Sequence, residues 1–223
     1  MSSLQEFYEE WGHVIWKSLG ETLQMTSISL LISVLIGIPL GLLIVLTRPG
    51  QLFENKWLYQ VLNLLINVVR SVPFIILLFF ILPFTKIIVG TTIGVKGVIV
   101  PLVVYTAPYL ARLMETALLE VSPGVVEAYT AMGIKRRHIV KNVLLREARS
   151  GIILGLTIAT VGLIGATAMA GLVGAGGLGD LAYRFGHIRY QVDVMYAAVF
   201  VLIILVQVIQ SMGTRFATKL KRD

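Results

Sequence analysis

The sequence contains no cysteine and little charge, and both features narrow the class of protein. Without cysteine, the chain can form neither a disulfide framework nor a cysteine-based metal site. Charged residues make up 14% of the chain, whereas soluble domains carry about 25%. Hydrophobic residues make up 57%. This composition is typical of a membrane protein rather than of a soluble domain.

Long apolar runs point to the same class. A membrane-spanning helix needs about 20 largely apolar residues, and we identify five such runs, at about residues 19–46, 58–84, 98–113, 152–172 and 194–212. We predict that the third run continues as a helix to Glu120. Two patterns of small residues, Gly37–Gly41 and Gly151–Gly155, favour close helix packing, although chance in a chain with 21 glycines explains them equally well.

The basic residues predict the orientation in the membrane. Five spans place the two termini on opposite sides, and Lys and Arg gather on the cytoplasmic side. One face holds 13 of the 19 basic residues, namely Arg48, Lys56, Arg112, Lys135, Arg136, Arg137, Lys141, Arg146, Arg149, Arg215, Lys219, Lys221 and Arg222. We therefore predict that the N-terminus lies outside and the C-terminus in the cytoplasm. The net charge of +7 is then a topology signal, and no nucleic-acid partner is expected.

The charge pattern also divides the chain into segments. The start is acidic, with Glu6, Glu9 and Glu10 against Lys17, whereas a secretory signal starts with basic residues. We predict a retained extracytoplasmic segment at residues 1–18, a membrane domain at residues 19–212 and a basic cytoplasmic tail at residues 213–223.

A polar, basic loop separates the third and fourth spans, at residues 121–146. Ser122 and Pro123 are a favourable helix cap and first helical residue. Gly133 predicts a left-handed helix end, and a second, basic amphipathic helix is expected from Ile134 to Asn142. Two interpretations remain open: a helix–turn–helix that a cytosolic partner binds, or a basic surface helix that binds anionic lipids.

This loop resembles the coupling signature of ABC importer permeases, in which Glu-Ala-Ala is followed by Gly and then by a hydrophobic run. Glu127, Ala128 and Gly133 match the signature, Tyr129 replaces its second Ala and Arg146 replaces its usual Pro. The resemblance implies an all-α membrane protein of the type I importer fold, with five transmembrane helices. It also implies that residues 121–146 are the coupling loop of the permease domain.

Further segments are similar to the permeases of methionine importers: Arg-Ser-Val-Pro-Phe at 70–74, Ile-Val-Pro at 99–101, Ala-Pro at 107–108, Ala-Leu-Leu-Glu at 117–120 and Gly-Ala-Gly-Gly-Leu-Gly at 174–179. That family implies methionine import across the cytoplasmic membrane of a prokaryote by alternating access. Its partners are a second copy of the permease, two cytoplasmic ATPases, an extracytoplasmic substrate-binding lipoprotein and membrane lipid.

The chain lacks the phosphate-binding pattern G-x-x-x-x-G-K-[ST]. It is therefore not expected to be an enzyme or to bind a cofactor, and ATP and Mg²⁺ are expected on the partner ATPase. The predicted ATPase-coupling residues are Glu127, Ala128, Gly133, Lys135, Arg136 and Arg137. Exposed ion pairs contribute only about 0–1 kcal/mol each, so the shape of the turn should matter more than its charge.

Arg70 is an ionisable residue well inside a predicted span, a position that is costly and usually functional. Asn63 and Asn67 share its helix face. We predict a translocation path near Asn63, Asn67, Arg70, Ser71 and Met169. A structural role is the open alternative, because Pro73 cannot donate to the carbonyl of Val69 and Arg70 could bond such freed oxygens.

The run Gly174–Gly179 matches a dinucleotide fingerprint, but that motif requires a βαβ unit that a membrane helix cannot supply. We predict instead a flexible outer loop where a binding protein docks through Gly174, Gly176, Gly177 and Gly179. The three histidines are scattered, so no metal site is expected.

Three rivals stay open. An ion-coupled secondary transporter would need acids in its spans, and only Glu21 lies in one, near its outer end. A non-transporting membrane anchor would give no role to the polar face of the second span, which Asn63, Asn67 and Arg70 share. The same machinery could carry another amino acid or an osmolyte.

Overall fold

The computed structural model describes residues 2–222, and within this range the regular structure is entirely helical. Its α-helices are α1 (Ser2–Thr47), α2 (Lys56–Arg70), α3 (Phe74–Val89), α4 (Gly94–Leu119), α5 (Pro123–Ala131), α6 (Arg136–Ile139), α7 (Leu145–Glu147), α8 (Arg149–Ala170), α9 (Gly177–Leu181) and α10 (Val192–Arg222). Shorter turns follow three of them: π-helical Val140–Leu144, 3₁₀ Gly171–Val173 and π-helical Ala182–Ile188.

The second predicted span is not one continuous helix, and this expectation is wrong. α2 and α3 meet at an angle of 105°, and Pro73 stands at the break with φ −56° and ψ 140°. Proline has no N–H and disfavours helical geometry in the residue before it, so the helix ends at Arg70. Within the described residues, four helices are long and apolar enough to span a membrane, or five if this bent pair is one span.

The first and last helices are longer than the spans predicted for them. α1 is a single helix from Ser2 to Thr47 and has no break at the predicted boundary after residue 18. α10 is also continuous, so the predicted basic tail from residue 213 is the last part of a 31-residue helix. The third predicted span does continue as a helix to Leu119, as expected.

The chain forms two compact units that share the long helices. The first comprises the described residues up to Ile32, Val72–Tyr105 and Thr160–Ile209. Its main core buries Met25, Leu78 and Val98 together with neighbours from α4 and α8. Burial of such side chains stabilises each by about 1.5–3 kcal/mol where water is the alternative.

The second unit comprises Ser33–Ser71, Thr106–Ala159 and the described residues from Gln210 onward. Its helices approach closely at glycines. A Cβ on Gly41 would lie 2.6 Å from the carbonyl oxygen of Ala111, and one on Gly151 would lie 2.9 Å from the Cβ of Ala117. Both predicted small-residue patterns therefore form helix contacts.

Candidate functional site

The predicted coupling loop starts with a well-formed helix whose first residue is fixed by proline. α5 begins at Pro123, where a missing N–H leaves no donor unpaired. Ser122 occupies the N-cap, but its side chain makes no capping hydrogen bond, so the expected hydroxyl cap is wrong. The backbone supplies the bond instead, because the N–H of Val125 donates to the carbonyl of Ser122 at 3.1 Å.

The end of α5 is a Schellman turn built on Gly133. Its φ is +73°, and its N–H donates to the carbonyl of Thr130 at 3.0 Å. The N–H of Ile134 donates to the carbonyl of Tyr129 at 3.3 Å. These are the two bonds of that motif, so the predicted left-handed stop is confirmed. A Cβ at Gly133 would meet nothing within 4 Å, so this backbone borders open space.

The second half of the loop is anchored by its apolar side. α6 starts at Arg136, two residues later than predicted. Together α6 and its π-helical continuation bury the four apolar residues expected on one side, Ile139, Val140, Val143 and Leu144. Val140 and Leu144 pack on Val45 and Leu46 of α1 and on Leu118 of α4. The buried apolar side of the loop is therefore packed against two long helices, α1 and α4.

The residues predicted to meet the ATPase all lie on the opposite, exposed side of the loop: Glu127, Ala128, Gly133, Lys135, Arg136 and Arg137. The guanidinium of Arg136 also lies 5.9 Å from the ring centroid of Phe53, in the loop between α1 and α2. Among the described residues, no carboxylate lies within ion-pair distance of these three cations. Their charges thus remain open to an external acidic surface.

A cavity of about 690 Å³ lies beside α5, between the end of α4 and the start of α8. Glu120, Glu147 and Lys221 give it charged walls. The last helix closes one side, because the Ser150 hydroxyl donates to the carbonyl of Ala217 at 2.8 Å. α10 is thus a structural support of the loop region rather than a free tail.

A polar cluster between α2 and α4 was not predicted. Arg112 donates through Nη2 to Oδ1 of Asn67 at 2.7 Å and also to Oδ1 of Asn63. Through Nη1 it pairs with Glu115, which is 7% exposed. Arg112 is one of the basic residues predicted on the cytoplasmic side, whereas the structure places it in a contact between two helices. The sequence signal was the spacing of Arg112 and Glu115, which places both on one helix face.

Arg70 and Ser71 lie at the end of α2. The Arg70 guanidinium lies 5.9 Å from the ring centroid of Tyr109 on α4, and the Ser71 hydroxyl donates to the carbonyl of Asn67 at 2.7 Å. Within the second unit, the structure thus brings together Asn63, Asn67, Arg70 and Ser71. Met169, the remaining path candidate, belongs to the first unit and is 51% exposed on α8.

The glycine-rich run is a packed turn, so the expectation of a flexible loop is wrong. Gly174, Gly176 and Gly177 have φ of 79°, 84° and 81°. The N–H of Gly177 donates to the carboxylate of Glu21 at 2.7 Å, and that of Leu178 donates to the Thr22 hydroxyl at 2.9 Å. Gly179 lies against the backbone of Ala168, because a Cβ there would overlap the Ala168 carbonyl oxygen. Only glycine fits these positions without strain.

Just after this turn, Asp180 pairs with Arg184 through both carboxylate oxygens. The hydrogen bond to Asp180 raises the pKa of the Arg184 guanidinium. Among the described residues, no group of three or more His, Cys, Asp or Glu side chains could hold a metal ion.

Comparison with known proteins identifies relatives over most of the chain. The family described as the binding-protein-dependent transport system inner membrane component matches residues 33–222. The probable D-methionine transport system permease protein of Pasteurella multocida is 44% identical over 209 residues, which cover 92% of this chain and 96% of that protein. The D-methionine transport system permease protein of Escherichia coli K12 is 46% identical over 155 residues, or 70% and 71% of the two chains.

Solved structures agree. An inward-facing structure of the MetNI methionine ABC transporter contains a chain that is 44% identical, with a TM-score of 0.92 over 95% of this chain and 98% of that one. A chain of an amino acid ABC transporter is 18% identical with a TM-score of 0.79 over 94% and 95%, and this similarity shows the fold alone. The chain belongs to the family of inner membrane components of binding-protein-dependent transport systems, and its fold is that of a type I ABC permease.

Proposed function

We propose that this chain is the permease subunit of an ATP-driven importer that carries methionine across the cytoplasmic membrane. The observation that carries the proposal is the α5–α6 segment, a Gly-terminated helix with an exposed polar side and a buried apolar side. The relatives named as D-methionine permeases, at 40–48% identity, supply the substrate. Energy comes from a separate ATPase, which holds ATP and Mg²⁺.

The assembly that we propose contains two copies of this chain, two cytoplasmic ATPases and an extracytoplasmic substrate-binding lipoprotein, all within membrane lipid. Each copy crosses the membrane five times, with the α2–α3 pair as one broken span. The N-terminus is outside and the C-terminus is cytoplasmic. The excess of basic residues around the coupling loop supports this orientation.

Coupling follows from how the loop is held. Glu127, Ala128 and Gly133 form the surface that the ATPase grips, and Lys135, Arg136 and Arg137 face its acidic groups. Because the underside of the loop packs on α1 and α4, a displacement of the loop moves both long helices as rigid bodies. Domain closure in the ATPase is thereby converted into opening and closing of the path.

The path passes the polar side chains that α2 and α4 bring together, and we place Asn63, Asn67, Arg70 and Ser71 beside it, with Met169 on α8. The binding protein docks near the packed turn of Gly174, Gly176, Gly177 and Gly179. Rigidity favours this role, because a preorganised surface loses less conformational entropy on binding than a loose loop does.

Reconstitution tests the proposed function. The chain is purified with its ATPase, placed in liposomes with the binding protein, and supplied with radiolabelled L-methionine. We expect uptake that requires ATP and that unlabelled D- or L-methionine competes away. Uptake driven by a proton or sodium gradient without the ATPase would instead favour the ion-coupled rival. If a different amino acid or an osmolyte competed for uptake and methionine did not, that compound would be the substrate instead of methionine.

A further inference from the structure

The contact with Arg112 fixes the direction in which two asparagine amides point. A guanidinium has only donors, so Asn63 and Asn67 must present their oxygens to it, as they do. Their Nδ2 groups are therefore turned away from Arg112 and keep their hydrogens free. Among the described residues, neither Nδ2 group donates a hydrogen bond. The face of α2 that carries Asn63 and Asn67 thus presents free amide donors. Asn67 is the exposed residue of the two.

Arg70 extends this set of donors. It follows Asn67 by three residues on α2, so the two side chains are neighbours on the helix surface. Arg70 is exposed, and no carboxylate in residues 2–222 lies within ion-pair distance of it. Glu115, on α4, is paired with Arg112. The exposed end of α2 therefore offers a positive charge and hydrogen-bond donors without an anionic acceptor.

We propose that Asn67 and Arg70 bind the carboxylate of a zwitterionic amino acid as it passes, and that Arg112 is a positioning residue that holds the Asn67 amide in the donating orientation. The proposal rests on the proposed function and names the part of the substrate that these residues recognise. A guanidinium binds a carboxylate through two parallel hydrogen bonds, and the amide adds a third donor.

Two local features stabilise the charge of Arg70 without using its donors. The ring of Tyr109 lies under the guanidinium, and the carbonyl end of α2 favours a cation. Among the described residues, Arg70 donates no hydrogen bond to a helix carbonyl, so its in-plane N–H groups stay available to a carboxylate. Exposure to lipid does not suit the site, because charged side chains within membrane spans face a protein interior or a water-filled cavity.

Uptake by the reconstituted complex tests the site directly. Asn67→Leu and Arg70→Met should each lower methionine uptake by about tenfold to a hundredfold, the loss expected for a hydrogen bond to a charged group. ATP hydrolysis and the amount of assembled complex should be retained. Arg70→Lys should recover part of the loss. Gln60→Leu is the matched control, since Gln60 is an exposed amide on the same helix without a contact to Arg112.

Arg112→Gln separates positioning from binding. It should lower uptake less than Arg70→Met does, and the additional loss caused by Asn67→Leu should nearly disappear in the Arg112→Gln background. Wild-type uptake in both Asn67→Leu and Arg70→Met would overturn the proposal. Loss of the assembled complex in those variants would overturn the proposal too. That result would mean that the donors of Asn67 and Arg70 bind an acidic residue of the second copy rather than a substrate.

Charged thiol reagents give an independent test, because the natural chain has no cysteine. A Ser71→Cys variant is modified with an anionic or a cationic methanethiosulfonate. The anionic reagent should react at least about tenfold faster, Arg70→Gln should abolish that preference, and L-methionine should slow the reaction. Leu65→Cys, on the opposite face of α2, should show no preference. Equal rates at Ser71→Cys would refute an anion site, even if the wild-type complex carried no methionine.

Discussion

The pair Arg112–Glu115 offers the sharpest test of how α2 and α4 are held together. Glu115 is 7% exposed, and 19% of the Arg112 side chain is exposed, so solvent screens the pair weakly. Removing one partner of such a pair leaves an uncompensated charge and costs about 3–5 kcal/mol. We take the lower end of this range, a loss of about 3 kcal/mol in the free energy of unfolding, for either Glu115→Leu or Arg112→Met, because the Asn63 and Asn67 oxygens still solvate the arginine when Glu115 is replaced.

The double variant should behave differently from the sum of the two. Replacing both charges with apolar residues removes the desolvation cost and leaves only the two amide oxygens without a donor, at about 1–3 kcal/mol. We therefore expect the double variant to lose about 3 kcal/mol of unfolding free energy, rather than the roughly 6 kcal/mol that the two single losses add up to. The coupling energy is then about 3 kcal/mol. For a chain of this length, 3 kcal/mol corresponds to about 6–12 °C in unfolding temperature.

The assay is the apparent unfolding temperature in detergent, read by size-exclusion chromatography after heating each variant at one fixed rate. Arg146→Met is the matched control, because Arg146 is exposed on α7 and should change stability by less than about 0.5 kcal/mol. Additive losses in the double variant would show that the two side chains do not act as a buried pair. Single variants within 1–2 °C of the natural protein, on the order of the control's effect, would refute the whole argument.

Three further predictions concern other parts of the chain. Gly133→Asp should abolish ATP-driven uptake while membrane insertion stays normal, because the new side chain enters open space on the docking surface. Gly133→Ala, which costs about 1–2 kcal/mol of left-handed backbone strain, separates the effect of strain from that of side-chain shape. Full uptake in Gly133→Asp would contradict docking at this position. Gly213→Leu should destabilise the protein by about 1–3 kcal/mol, since a Cβ there would overlap the Thr157 side chain, whereas Gly20→Leu, with nothing within 4 Å, should leave the unfolding temperature unchanged. Glu21→Ala should speed hydrogen exchange at Gly177, because its N–H loses the acceptor at 2.7 Å. Glu21→Gln retains an acceptor and should therefore show slow exchange. Equal exchange rates in the two variants would argue against that hydrogen bond.

Local chemistry explains what the sequence predicted well. Apolar runs of span length identified the helical membrane class, and the short loop between the third and fourth spans carried its own signals. Pro123 starts α5, and Gly133 ends it in the left-handed region. Each of these acts through its own backbone geometry, so no knowledge of distant contacts was needed.

The break in the second span lies at a residue whose local signal is visible in the sequence. Pro73 frees a carbonyl, but the hydropathy is continuous across it, and this continuity predicts an uninterrupted span. Hydropathy reports the environment of a segment and does not report its direction. A proline in a membrane helix can be accommodated as a kink, and only neighbouring structure decides between a kink and the 105° bend that is observed.

The Arg112 cluster and the packed turn were missed for a different reason. Asn63 lies 49 residues from Arg112, and Gly177 lies 156 residues from Glu21, so neither pairing leaves a local pattern. Glycines with positive φ occur both in loose loops and in tight packed turns, and the difference depends on the partners of their N–H groups. The same argument applies to Arg70: its position within a span predicts a functional residue, but the proposal that it binds an anion depends on the direction of the Asn67 amide, which Arg112 on another helix sets.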